Sequence, residues 1–166
     1  VSKIHAQGCS DAGFCTMQHM SVSGDKSKDS IVSKNDLTLS LATGVGDDYN
    51  FINNPYITFS RDLTDKFSVS SKLVSSFIFG EKGTVIGLGD VYVSGAYKML
   101  EKEKLQTTIL GGFKFPLSNS NILSDGKALP LSYQTSLATI DAILGVNLSI
   151  THFDFSAGAQ IPLSQN

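Results

Sequence analysis

At 166 residues the chain is long enough for one domain. Thirteen basic against 15 acidic side chains leave a net charge of −2, which gives nucleic acid no electrostatic footprint to bind. No run of about 18 apolar residues occurs, which excludes a transmembrane helix, but not a transmembrane barrel, whose strands are weak signals one by one.

Residues 1–34 carry little periodicity and are expected to form an irregular segment outside any sheet. Ile4-His5-Ala6 places a small residue where a signal peptidase would leave one, so Gln7 is the expected mature start. Cys9 and Cys15 suit a small disulfide loop in an oxidising compartment. With His5 and His19 they also offer zinc-ligand types, although the cysteine spacing is wider than in zinc fingers, and no metal is assigned. A lipidated Cys9 is a further reading, and intact mass separates the three.

From Asp36 a period of two begins, and residues 35–166 are expected to be strands. Leu37, Leu39, Leu41, Thr43 and Val45 alternate with Thr38, Ser40, Ala42 and Gly44, which predicts a first strand. Residues 46–54 read as a loop, and Pro55 as a residue that can begin a strand but not sit centrally in one. A second strand is expected from Tyr56 to Arg61, then a sharp turn from Asp62 to Lys66. Phe67 to Phe79 reads as a third strand, followed by a glycine-rich loop from Gly80 through Gly87-Leu88-Gly89-Asp90.

Val91, Val93, Gly95, Tyr97 and Met99 mark a fourth strand, and Glu101 to Lys104 a compact turn. Leu105 to Phe115 is the fifth, ending at Pro116. A long connection from Ser118 to about Tyr133 leads into a hairpin over 134–163. Its first arm alternates Ala138, Ile140, Ala142, Leu144, Val146, Leu148 and Ile150 with Ser136, Asp141, Gly145, Asn147 and Ser149. Thr151-His152 is the turn. Its second arm alternates Phe153, Phe155, Ala157, Ala159, Ile161 and Leu163 with Asp154, Ser156, Gly158, Gln160 and Pro162.

The connections thus read as alternately long (Gly46, Gly80, Ser118) and short (Asp62, Glu101, Thr151). Together with strands longer than the five or six residues usual in soluble sheets, this predicts an all-β, antiparallel up-and-down transmembrane β-barrel. A soluble β-sandwich acting as a binding module is the alternative fold, because it also alternates. Seven strands is an odd number for a bacterial outer-membrane barrel, so the barrel is expected to continue beyond the chain, or to draw a further strand from residues 1–34.

On the polar parity, Lys72, Asp90, Lys98, Lys114, Asp141 and Asp154 are the residues expected to face a lumen, either setting solute preference or bracing a narrow interior. Arg61 falls on the apolar parity but at a strand end, where it can snorkel. Gly87-Leu88-Gly89-Asp90 is not a phosphate loop, since no Gly-Lys-Ser/Thr follows. His5, His19 and His152 are the only histidines, and none sits like the base of a nucleophilic triad, so no catalytic residue is assigned.

Gln7-Gly8-Cys9-Ser10-Asp11-Ala12-Gly13-Phe14-Cys15 resembles the mature N-terminus of a group of outer-membrane β-barrel proteins of Bacteroidota. Gly87-Leu88-Gly89-Asp90-Val91-Tyr92-Val93 with Tyr97, followed by Gly111-Gly112-Phe113-Lys114-Phe115-Pro116-Leu117, is similar to barrels of the phenol-degradation-pathway or hydrophobic-compound transporter type. The resemblance covers about half the chain. It implies a non-enzymatic outer-membrane channel, with no cofactor, the outer-membrane lipid bilayer as its surroundings and a periplasmic N-terminus. A non-transporting structural or accessory barrel that docks other envelope proteins is the competing expectation.

Overall fold

The computed structural model describes residues 35–46, 50–102, 105–119, 122–124 and 126–164. Cys9, Cys15, His5 and His19, and with them the expected disulfide, irregular N-terminal segment and mature start, lie outside the described residues.

The alternation builds long strands. They are β1 (Asn35–Val45), β2 (Phe51–Asp62), β3 (Phe67–Gly80), β4 (Gly83–Lys102) and β5 (Leu105–Pro116). A two-residue pair, β6 (Leu123–Ser124) and β7 (Lys127–Ala128), then precedes a 3-10 turn at Leu131–Tyr133, β8 (Ile140–Ile150) and β9 (Phe153–Ser164). The fold is all-β. One antiparallel sheet runs in the order β1-β2-β3-β4-β5-β8-β9, and β6 pairs only with β7. Neighbours in sequence are neighbours in space, the pattern of an up-and-down meander. The sheet is not closed: β1 and β9 are its two edges. The described residues form one large sheet rather than the two packed sheets of a sandwich.

Short turns hold the expected positions. Between β2 and β3, Leu63 N–H and Thr64 N–H donate to Phe67 O, and Phe67 N–H donates back to Thr64 Oγ1 at 2.9 Å. Between β8 and β9, Thr151 takes φ 49° at the predicted two-residue turn.

Three expectations require correction. The first concerns β2, which starts at Phe51 and carries Pro55 in its interior. Asn54 and Pro55 pair with Ala42 and Leu41 of β1, but the ladder to β3 skips them, passing from Asn53↔Phe77 to Tyr56↔Val74. Proline has no N–H to donate, and the strand accommodates it by interrupting one ladder only.

The second concerns the expected glycine-rich loop, which is a strand. Glu81 and Lys82 alone separate Gly80 from Gly83, whose φ of +124° suits glycine, and β4 runs on from there. The long and short connections therefore do not alternate. The alternation of side chains was hidden by a bulge: β3 pairs Leu73↔Val91 and then Ser75↔Leu88, so Gly89 and Asp90 together oppose Val74. An extra residue in one strand swaps the parity on its two sides. Ile86 and Leu88 before the bulge, and Val93 and Tyr97 after it, are accordingly all exposed on the same face. The third concerns the 134–163 hairpin, whose first arm begins at Ile140. Ala138, at φ 53°, leaves the extended conformation.

The two faces differ sharply. Leu37, Leu39, Leu41, Ile57, Phe59, Phe113, Leu144, Val146, Phe155 and Ile161 all stand exposed, Leu39 at 71 %. The opposite parity is buried: Thr58, Ser76, Asp90, Ser94, Lys98, Thr108, Lys114 and Asp141, with Tyr92, Ala96, Leu110 and Ile143 packed among them. The sheet curls around its polar side and turns its apolar side out. On the outer side, the Phe67 ring lies where a Cβ on Gly95 would be, at 3.2 Å, so the aromatic covers the cross-strand glycine.

Candidate functional site on the polar face

Strand register assembles the charged residues before any loop is considered. Thr58 is opposite Lys72, Lys72 opposite Tyr92, Tyr92 opposite Lys114, and Lys114 opposite Asp141, which makes one belt across five strands. Lys114, its fourth member, is at 1 % exposure. Its Nζ lies 2.7 Å from Asp141 Oδ2 and 3.8 Å from Asp90 Oδ2, and donates to Thr139 Oγ1 at 3.1 Å. Asp90 reaches the same ammonium because the bulge aims it inward. Its Oδ1 accepts from Ser136 Oγ at 2.5 Å, and Gln160 Nε2 donates to Asp141 Oδ2. Asp141 Oδ1 is buried and has no hydrogen-bond partner among the described residues.

Two carboxylates share one ammonium in a largely buried side-chain environment. Such a cluster costs several kcal/mol of desolvation per ion, which the short contacts and added hydrogen bonds offset. It is a rigid strut across β4, β5 and β8.

Two strands away along the belt, Lys72 has no carboxylate within ion-pair distance among the described residues. Its Nζ sits 4.0 Å from the centre of the Tyr56 ring and 5.8 Å from that of Tyr92, a cation–π arrangement. Lys98, opposite Thr108 and nearer the short turns, is buried on the same face. Asp154 shares the parity, opposite Ser149, but stands exposed on the edge strand β9. Thus Lys72, Asp90, Lys98, Lys114 and Asp141 lie on the inner face, three of them meet in one cluster, and Asp154 is remote from it. Hydroxyl hydrogen bonds continue the polar parity: Ser70 shares one with Ser94 at 2.8 Å, and Ser156 Oγ donates to the Asn147 amide Oδ1 at 2.9 Å.

Sequence reasoning missed Tyr56, Ser136, Thr139 and Gln160 as partners. Polar parity within the strands was the available signal for Tyr56 and Gln160. Ser136 was on the polar parity of the expected first arm, although it lies before β8, and nothing local marks Thr139. Among the described residues no group of His, Cys, Asp and Glu could hold a metal, and the one histidine, His152, is in an exposed turn.

No protein-family model, curated protein or solved structure matches this chain.

Proposed function

We propose that the chain forms the wall of an outer-membrane β-barrel that passes small solutes, hydrophobic ones included. The observation that carries this reading is the inversion of the sheet: leucine, isoleucine and phenylalanine exposed on one face, lysine and aspartate buried on the other. Water penalises that arrangement, because burying each large apolar side chain is worth about 1.5–3 kcal/mol. Lipid rewards it, since outward apolar and inward polar residues are what a membrane barrel requires. Strand length supports the same reading. The seven strands of the main sheet run from 11 to 20 residues, and a tilted strand needs about 9–11 to cross a bilayer.

The reading requires that β1 and β9 be paired by strands beyond these seven, because lipid offers no hydrogen bonds to an open edge. The resemblance of Gly87 to Val93 and Gly111 to Leu117 to transporter-type barrels is what points to hydrophobic solutes. A non-transporting structural barrel is the second reading. It is favoured by the way the Lys114 cluster, and Tyr133 of the β5–β8 connection packed on Ile78 and Val85, fill part of the inner face.

Detergent-extracted protein reconstituted into planar bilayers should give discrete conductance steps, and liposomes carrying it should take up small solutes. Folded protein recovered entirely in the aqueous fraction without detergent would overturn both barrel readings. Membrane-inserted protein with neither conductance nor flux would leave the structural one.

A further inference from the structure

The connection between β5 and β8 does not stand away from the sheet. Its last part, residues 129–139, folds back onto the inner face of β3 and β4, at the end of the sheet where β3 turns into β4. Tyr133 is fully buried there against Ile78 and Val85, with Ile52, Ile122 and Leu129 packed around them. This second apolar cluster of the inner face, distinct from that of Tyr92, Ala96, Leu110 and Ile143, is covered by the segment. Lys82 N–H donates to Tyr133 Oη at 3.3 Å.

The wall is shaped to receive this segment. A Cβ on Gly80 would collide with the Tyr133 hydroxyl, one on Gly87 would lie 3.2 Å from Thr135 Cγ2, and one on Gly89 would lie 3.0 Å from Thr135 O. Three glycines on two strands thus clear one seat. The segment is also braced within itself. Gln134 Oε1 accepts from Ile122 N–H and its Nε2 donates to Leu129 O, both at 2.9 Å, while Ser118 and Thr135 share a hydroxyl hydrogen bond at 2.8 Å. Ser136 then ties it to Asp90, and Thr139 to Lys114.

We propose that residues 129–139 are a wall-docked insert that narrows the channel at this mouth and sets the size of solute it admits, with the Ser136–Asp90–Lys114 chain as its latch. The inference rests on the channel reading and adds the element that determines selectivity. A loop needed only to join β5 to β8 would run over the outside of the sheet end, with its polar backbone in water. This one instead takes up space on the inner face and is held by contacts at both of its ends.

The test is a Tyr133→Ala/Ser136→Ala variant, which leaves every strand residue unchanged, together with Gly87→Ile, which fills the seat from the wall side. Each is made with and without Thr135→Cys, whose thiol is shielded while the insert is seated. Heat-modifiable electrophoretic mobility checks folding. The expected result is faster labelling of Cys at 135 by a membrane-impermeant maleimide, larger single-channel conductance, and uptake of larger sugars in liposome swelling. Unchanged labelling in both folded variants would overturn the latch. Faster labelling with unchanged conductance and size limit would overturn the insert as the narrow point while leaving the channel reading intact. No conductance in either wild type or variants would overturn the channel reading and the filter together. A silent wild type with conducting variants would support the insert as the barrier.

Discussion

The two faces of this sheet are built from the same strands yet obey opposite rules. On the outer face, side chains such as Leu39, Leu144 and Phe155 stand exposed, with no hydrogen bond or ion pair to position them. On the inner face the charged groups at its middle are placed by others: Lys114 by two carboxylates and a threonine, Asp90 by Ser136, Lys72 by two tyrosine rings. The outer face is specified by composition, since any large apolar residue of the right parity serves. The inner face is specified by geometry, because a buried charge is tolerated only where its partners are within reach.

Substitution breaks this contrast most severely at Lys114. Lys114→Met strands Asp90 and Asp141 without their cation, and should cost about 3–5 kcal/mol of folding stability, read as a lower denaturant midpoint in detergent or lipid. Adding Asp141→Asn should recover part of the loss. An unchanged midpoint in the single variant would mean that water reaches the cluster.

On the outer face the informative change is Leu144→Arg in β8. If this face meets lipid, the charge should cost about 2–4 kcal/mol, depending on depth. If it meets water, the same change should stay within about 0.5 kcal/mol, as at an ordinary surface position. Leu144 is 55 % exposed, so the two environments predict clearly different results from a single unfolding curve.

The smallest effect is expected at Lys72. Lys72→Met keeps an unbranched stem and removes the ammonium over the Tyr56 ring, a cation–π attraction worth about 0.5–2 kcal/mol. In a conducting protein the same variant removes a positive charge that no carboxylate on the described inner face neutralises. Ion selectivity, measured as the reversal potential in a salt gradient, should therefore shift toward cations even where stability barely moves.

Much of the fold was legible in the chain. The seven long strands, the antiparallel order and the division into an apolar and a polar parity all follow from a period of two that each strand carries within itself. The turns at 62–66 and 151–152 were legible for the same reason. Pro55 misled because its cost depends on which ladder it interrupts, a property of neighbouring strands rather than of β2. Gly80 to Asp90 misled because the bulge reverses the parity and three of the four glycines that suggest a loop, Gly80, Gly87 and Gly89, lie against Tyr133 and Thr135.

The candidate site divides along the same line. By itself the sequence determined that Lys72, Asp90, Lys98, Lys114 and Asp141 share one face, since alternation within short segments is local and survives any change in distant contacts. Only the tertiary structure decided that Lys114, Asp141 and Asp90 converge, that Lys72 stays apart on its tyrosines, and that residues 129–139 close over the second apolar cluster. Those outcomes depend on register between strands far apart in the chain, on one extra residue in β4, and on a connection folding inward. A period of two encodes which way a side chain points, and not what it will meet there.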